Sequence, residues 1–171
     1  AQDDIVDDYF NRVKQDLIER ISYDPSDGEF ALDLLMIAKY FERIGDHAAD
    51  IAEIIPHLVT VRKEGDPAVS QAIAMGRKAY QMILDAMAAL TAEDELAARQ
   101  VIAADDAVDY DFNAIKHTLA QEIAANPAKV DAALDLLMVI KYLERIGDHA
   151  VNVAEWVQFV RSGRYKDESM F

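Results

Sequence analysis

The sequence predicts an all-α protein of two tandem repeats, the second a three-helix bundle and the first incomplete. Three observations carry this. Ala, Leu, Ile, Met, Glu and Asp dominate while Gly and Pro are few, a composition that favours helix. Apolar residues recur at helical spacing from end to end. Residues 33–55, DLLMIAKYFERIGDHAADIAEII, return 102 positions later as DLLMVIKYLERIGDHAVNVAEWV at 135–157, with about two-thirds of positions identical and no gap.

The first helix, 1–23, has one stripe of Val6, Phe10, Val13, Leu17 and Ile21. Asp24-Pro25 stops it, because a residue before proline is driven out of the helical region. Pro25 suits the opening turn of the next helix, 27–62, with Asp24 or Ser26 as its cap. The core stripe of that helix is Leu34, Ile37, Phe41, Ile44, Ala48, Ile51 and Ile55, with Tyr40 beside it and Glu42, Asp46 and Asp50 on the far side. Pro56 predicts a kink or an early end. Gly65-Asp66-Pro67 is the clearest break, with aspartate capping and proline opening a helix to about residue 90. The stripe chosen as its buried face is Val69, Ile73, Gly76, Tyr80, Ile83, Met87 and Leu90. Thr91 to Asp94 reads as a capping box for a helix over 92–125. Asn126-Pro127 ends that helix, and the last runs over 128–160. Ser162-Gly163 closes it, with a frayed tail to Phe171.

The offset holds before the signature too. Asp7, Phe10, Asn11, Lys14, Leu17, Ile21 and Pro25 match Asp109, Phe112, Asn113, Lys116, Leu119, Ile123 and Pro127. The predicted organisation is a first repeat over 1–65 with two helices, a second over 66–162 with three, and a tail over 163–171. The first repeat lacks a counterpart of helix 67–90, so its apolar stripes call for a neighbour. A homo-oligomer, most simply a dimer through the first two helices, is the expected solution.

Composition excludes several functions. Net charge is −15, from 17 basic and 32 acidic residues, and repels nucleic acid and anionic lipid. There is no cysteine, hence no disulfide, thiolate zinc site or iron–sulfur cluster. No apolar run reaches the roughly 18 residues of a membrane span, which reads as soluble and cytoplasmic.

Each repeat carries two carboxylate pairs at i, i+4. They are Asp3/Asp7 and Glu42/Asp46 in the first, and Asp105/Asp109 and Glu144/Asp148 in the second. Such pairs lie about 40° apart on one helix face and repel by a few tenths of a kcal/mol. If the helices of a repeat are antiparallel, four carboxylates converge, a hard-ligand site suited to magnesium, manganese, calcium or iron. Asp50 extends the first site by one turn, while its counterpart Asn152 is neutral. A solvated acidic face is the plain alternative. Without metal, clustered acids predict a fold that gains stability on mild acidification. His47 and His149 fit a polar contact at the helix seam better than a ligand role. Arg43 and Arg145 fit structural partners of the acids, and Gly45 and Gly147 fit close helix approach. No nucleophile motif or phosphate-cradling glycine loop is present.

The duplicated ERIGDHA at Glu42–Ala48 and Glu144–Ala150, with the Asp-Asp-x-x-Asp openings at Asp3–Asp7 and Asp105–Asp109, resembles the PhoU family over nearly the whole chain. The resemblance implies tandem three-helix bundles, of which this chain lacks the first helix. It implies a non-enzymatic adaptor, cytoplasmic and peripheral to the inner face of the membrane. Its implied partners are a phosphate ABC transporter and a phosphate-sensing histidine kinase, both of which it restrains. It implies metal ions (iron, zinc, manganese or magnesium) held by Asp3, Asp7, Glu42, Asp46, Asp105, Asp109, Glu144 and Asp148. The alternatives are a carboxylate-bridged metalloenzyme, a purely structural helical module, and a cytosolic accessory domain of another phosphate carrier.

Overall fold

A computed structural model describes residues 3–63 and 65–162, without the side chains of Asp3 and of residues 160–162. The predicted tail lies outside the described residues. All regular structure described is helical: α1 Asp3–Tyr23, α2 Gly28–Val61, α3 Pro67–Ala92, α4 Glu95–Ala125 and α5 Val130–Ser162, with short 3-10 turns at Pro25–Asp27 and Pro127–Lys129. The breaks fall where side chains can close them. Asp24 accepts from the Ser26 amide, Asp66 from Ala68 and Val69, Asp94 from Leu96 and Ala97, and Asn126 from Ala128. Each supplies an acceptor to backbone N–H groups that the first helical turn leaves unpaired.

Two of these ends differ from expectation. Thr91 is not a cap: it stays inside α3, its hydroxyl donating to the Met87 carbonyl, while Glu93 turns left-handed at φ 49° and Asp94 caps α4. α2 does not end at Pro56 but runs on to Val61. Pro56 is exposed, so the carbonyl it leaves without a donor can be met by water.

α1 folds back on α2, and α4 on α5. α2 and α5 then pack antiparallel at the centre, and α3 lies against α4 and α5. One core joins Ile37 of α2, Met75 and Met82 of α3, Val101, Val108 and Ile115 of α4, and Leu136, Ile140 and Val153 of α5. Stripes on α1 and α2 are largely as expected, with Leu17 and Ile37 buried, but Ala48 and Ile55 are exposed and Leu58 is buried instead.

α3 meets the expectation only in part: Val69, Ile83 and Leu90 of the expected stripe pack at the edge of the core. It buries Ala68, Ala72, Met75, Ala79, Met82, Ala86 and Ala89, and leaves Ile73, Tyr80 and Met87 exposed. An alanine stripe lets backbones approach closely, and that gain in packing outweighs the greater apolar area of the neighbouring stripe.

Candidate metal centre

The glycine of each ERIGDHA copy sets how closely the helices of a hairpin approach. A Cβ on Gly45 would stand 3.1–3.3 Å from three carbons of Val6. A Cβ on Gly147 would stand 3.2 Å from Asp105 Oδ1 and 3.6 Å from Val108 Cγ1. The acids three residues before and one residue after the glycine therefore meet the acids of the opposing helix.

In the first repeat, Asp7 of α1 and Glu42 and Asp46 of α2 each bring an oxygen to within 4.8 Å of the others. Among the described residues this is the one group of three acidic or histidine ligands so closely gathered. The Asp3 side chain lies outside the described residues. Asp50 is not drawn in: it is half exposed and its Oδ2 faces His47 Nδ1 at 3.5 Å.

In the second repeat, Asp105, Asp109, Glu144 and Asp148 share one field without forming so tight a group. Burial first, then the charges of Asp109, Asp148 and Glu144, push Asp105 up to about 6. Burial and Glu144 also raise Asp148, against the pull of Arg145 and Lys141. Asp105 Oδ1 is buried and accepts no hydrogen bond. A buried carboxylate oxygen without a donor is costly, and a bound cation is what would satisfy it.

The far side assigned to Glu42 is in fact a seam. Its side chain is 14% exposed, and Lys39 Nζ reaches Oε2 at 2.6 Å. Lys141 pairs with Glu144 in the same way. Arg43 holds Asp46 at 3.1 Å and Arg145 holds Asp148 at 3.2 Å, as the sequence suggested. The lysines were missed there. Their ammonium groups also sit 5.2 Å from the rings of Phe10 and Phe112, a further attraction. The signal was available: a lysine three residues before the glutamate in both copies, one turn away on the same face.

Behind the acids, the histidines line the contact between repeats. His47 and His149 stack at 5.5 Å and 4° from parallel, His47 also stacks on Tyr142, and Tyr40 tilts over His149. Burial, then His47, Arg145 and Arg43, lower His149 to about 4, so it is neutral at pH 7. Directly after Pro56, His57 Nδ1 bonds Asp135 and ties the same two helices at their far end.

Fold and site together define a helical-repeat protein with an acidic seam between antiparallel helices in each repeat. The family model for the PhoU domain matches residues 1–55 and 73–157. The chain belongs to the PhoU family. A phosphate-specific transport system accessory protein PhoU homolog of Clostridium acetobutylicum is 33% identical over 170 residues, 97% of this chain and 77% of that protein. One from Caulobacter vibrioides is 35% identical over 136 residues, 78% of this chain and 57% of its own length. The crystal structure of PhoU from Pseudomonas aeruginosa matches with a TM-score of 0.87 at 24% identity, over 95% of this chain and 78% of that one. The phosphate transport system regulatory protein PhoU from Streptococcus pneumoniae matches with a TM-score of 0.71 at 22% identity, over 97% and 82%. Both share the helical fold of this chain. Among the described residues no helix is long and apolar enough to cross a membrane.

Proposed function

We propose that this chain is an accessory protein of a phosphate-specific transport system, a metal-binding adaptor that restrains uptake and phosphate-responsive signalling rather than an enzyme. The names of its relatives support the transport role. Metal binding rests on one observation: Asp7, Glu42 and Asp46 place three carboxylate oxygens within 4.8 Å of one another. The orphaned Asp105 oxygen supports the same reading for the second repeat. The donors are all oxygen, which fits magnesium, manganese or iron, and zinc less specifically.

Bound, such an ion supplies positive charge that offsets repulsion between the acids and ties each hairpin together. Asp7, Glu42 and Asp46 would hold it in the first repeat, and Asp105, Asp109, Glu144 and Asp148 in the second. Lys39 and Lys141 neutralise the glutamates when no ion is present. The adaptor is cytoplasmic in this reading, acting at the inner face of the membrane on an ABC transporter and a sensor kinase.

The test is thermal melting of metal-stripped protein with manganese, iron, zinc or magnesium added back. A ligand that binds only the folded state raises Tm by mass action. Asp46→Asn and Asp148→Asn are each expected to remove part of the rise, and the double variant nearly all of it. Melts unmoved by all four metals would end the metal reading. The adaptor reading is checked separately, by restoring phosphate repression of a reporter in a bacterium deleted for its own PhoU protein.

A further inference from the structure

α2 and α3 both lie on α5, yet among the described residues they bring no pair of Cα atoms within 8 Å of each other. Between them runs an open groove of about 650 Å³. Ile55 and Val59 of α2 form one wall, Val69 and Ile73 of α3 the other, and Val139 and Leu143 of α5 the floor. Gly76 keeps the wall low over Leu143. The walls are apolar yet open to solvent: Val59 is 72% exposed and Ile73 53%. Beyond the groove the same face of α3 continues through Tyr80, 60% exposed, and Met87. This is the stripe of large side chains that α3 leaves out of the core. A contiguous apolar face of this kind marks an interaction site.

Its charge is what identifies the occupant. The chain carries 32 acidic against 17 basic residues. Yet the charged residues lining the groove, among those described, are Arg62 and Lys63. Arg62 is bound to Asp66 and Glu122. Lys63 is exposed, and so is Arg77, one turn past Ile73 on the α3 wall. A trough between two helices, apolar at its base and basic at its rim, matches a third helix with an apolar stripe and acidic flanks. We propose that the α2–α3 groove is the docking site for an amphipathic helix of a partner protein, its apolar stripe flanked by Asp and Glu.

This does not rest on the metal reading, and the experiment is run in EDTA to keep the two apart. Three fluorescently labelled, helix-forming peptides are titrated into the full chain and followed by anisotropy. Two share a leucine stripe at i, i+3, i+4 and i+7 and differ in Glu or Lys flanks; the third has Glu flanks and a scrambled stripe. The overall charge of −15 favours the Lys peptide, whereas the local rim favours the Glu peptide. The Glu-flanked peptide is expected to bind at least tenfold tighter than either of the others. Ile73→Asp should weaken it tenfold or more, with Val59→Asp as a second probe should the first alter the melt. Lys63→Glu with Arg77→Glu should invert the Glu/Lys preference.

Equal or tighter binding of the Lys peptide overturns the proposal, as does binding indifferent to both groove variants in protein of unchanged melt. Two other occupants would also overturn it. One is a second copy of this chain, shown by a dimer in sedimentation that Ile73→Asp abolishes. The other is an acyl chain, shown by cis-parinaric acid binding where no peptide binds.

Discussion

Asp105 Oδ1 lies 3.2 Å from where a Cβ on Gly147 would stand. The glycine makes room for a carboxylate, whereas its counterpart Gly45 makes room for the branched Val6, whose Cβ and two methyls lie within 3.3 Å. The two glycines therefore respond differently to alanine. Replacing a mid-helix glycine gains about 1 kcal/mol of helix propensity. At 147 the obstacle is the free end of a side chain, so metal-free Tm should not fall, while the metal-induced rise from the second repeat should shrink. At 45 the obstacle is a stiff β-branched residue, and overpacking costs about 1–3 kcal/mol. Gly45→Ala should lose about 1 kcal/mol net in urea unfolding. Equal responses would show that the hairpins close alike.

Metal-free stability should depend on pH through two opposed groups. The folded pKa of Asp105, about 6, lies above its ordinary value, so its contribution is fully present at low pH and lost as pH rises through about 6. The folded pKa of His149, about 4, lies below its ordinary value. Its contribution is present above about 6.5 and lost as pH falls toward 4. The gain on acidification expected from clustered acids is thus offset by the buried imidazole, and the wild-type melt in EDTA should be nearly level between pH 7 and 5. Asp105→Asn should make Tm fall across that range, and His149→Gln should make it rise. Parallel profiles for the two variants would contradict this assignment.

The aspartate caps of α3 and α4 are unequal. Asp94 serves α4 alone, and Asp94→Ala should cost about 1 kcal/mol. Asp66 caps α3 and also binds Arg62 at 2.9 Å, a side chain only 6% exposed that reaches Glu122 at 3.1 Å. Asp66→Ala should cost about 2–3 kcal/mol, the cap plus a charged hydrogen bond. Chemical denaturation of both variants measures the gap; equal losses would mean that Glu122 alone suffices for Arg62.

α1 packs on α2 and leaves Ile5, Tyr9 and Ile18 exposed, and α2 adds Leu32. Self-association through this face is expected, with a weight-average mass in light scattering that rises with concentration. Ile18→Asp should suppress it and Ile73→Asp should not. A mass unchanged up to high micromolar concentration would show that the face stays open.

Local features were the legible ones. Gly65-Asp66-Pro67 could be read because a cap is decided within four residues: Gly65 takes φ +80° and Asp66 accepts two amides, as its neighbours dictate. The carboxylate pairs could be read because helical spacing and the repeat fix them. The face that α3 buries could not, since hydrophobicity ranks Tyr80 and Met87 above Ala79 and Ala86, while close approach to α4 and α5 ranks them the other way. The burial of the Asp105 carboxylate was equally hidden. It depends on a glycine 42 positions away, and no pattern within α4 announces that. Lys39 and Lys141 passed as solvent charges because their second partners, Phe10 and Phe112, sit on another helix.

α5 is the helix on which α2, α3 and α4 converge. Translation delivers it after the other four. Until residues 130–162 have left the ribosome, Ile37 has no Leu136 or Ile140 to share a core with, and the α1–α2 hairpin has nothing to join. The nascent chain must hold α1 to α4 in an unfinished state, the kind of intermediate that exposes hydrophobic surface and recruits chaperones. A fold that looks like two repeats in sequence is therefore completed in one late step, by its last described helix.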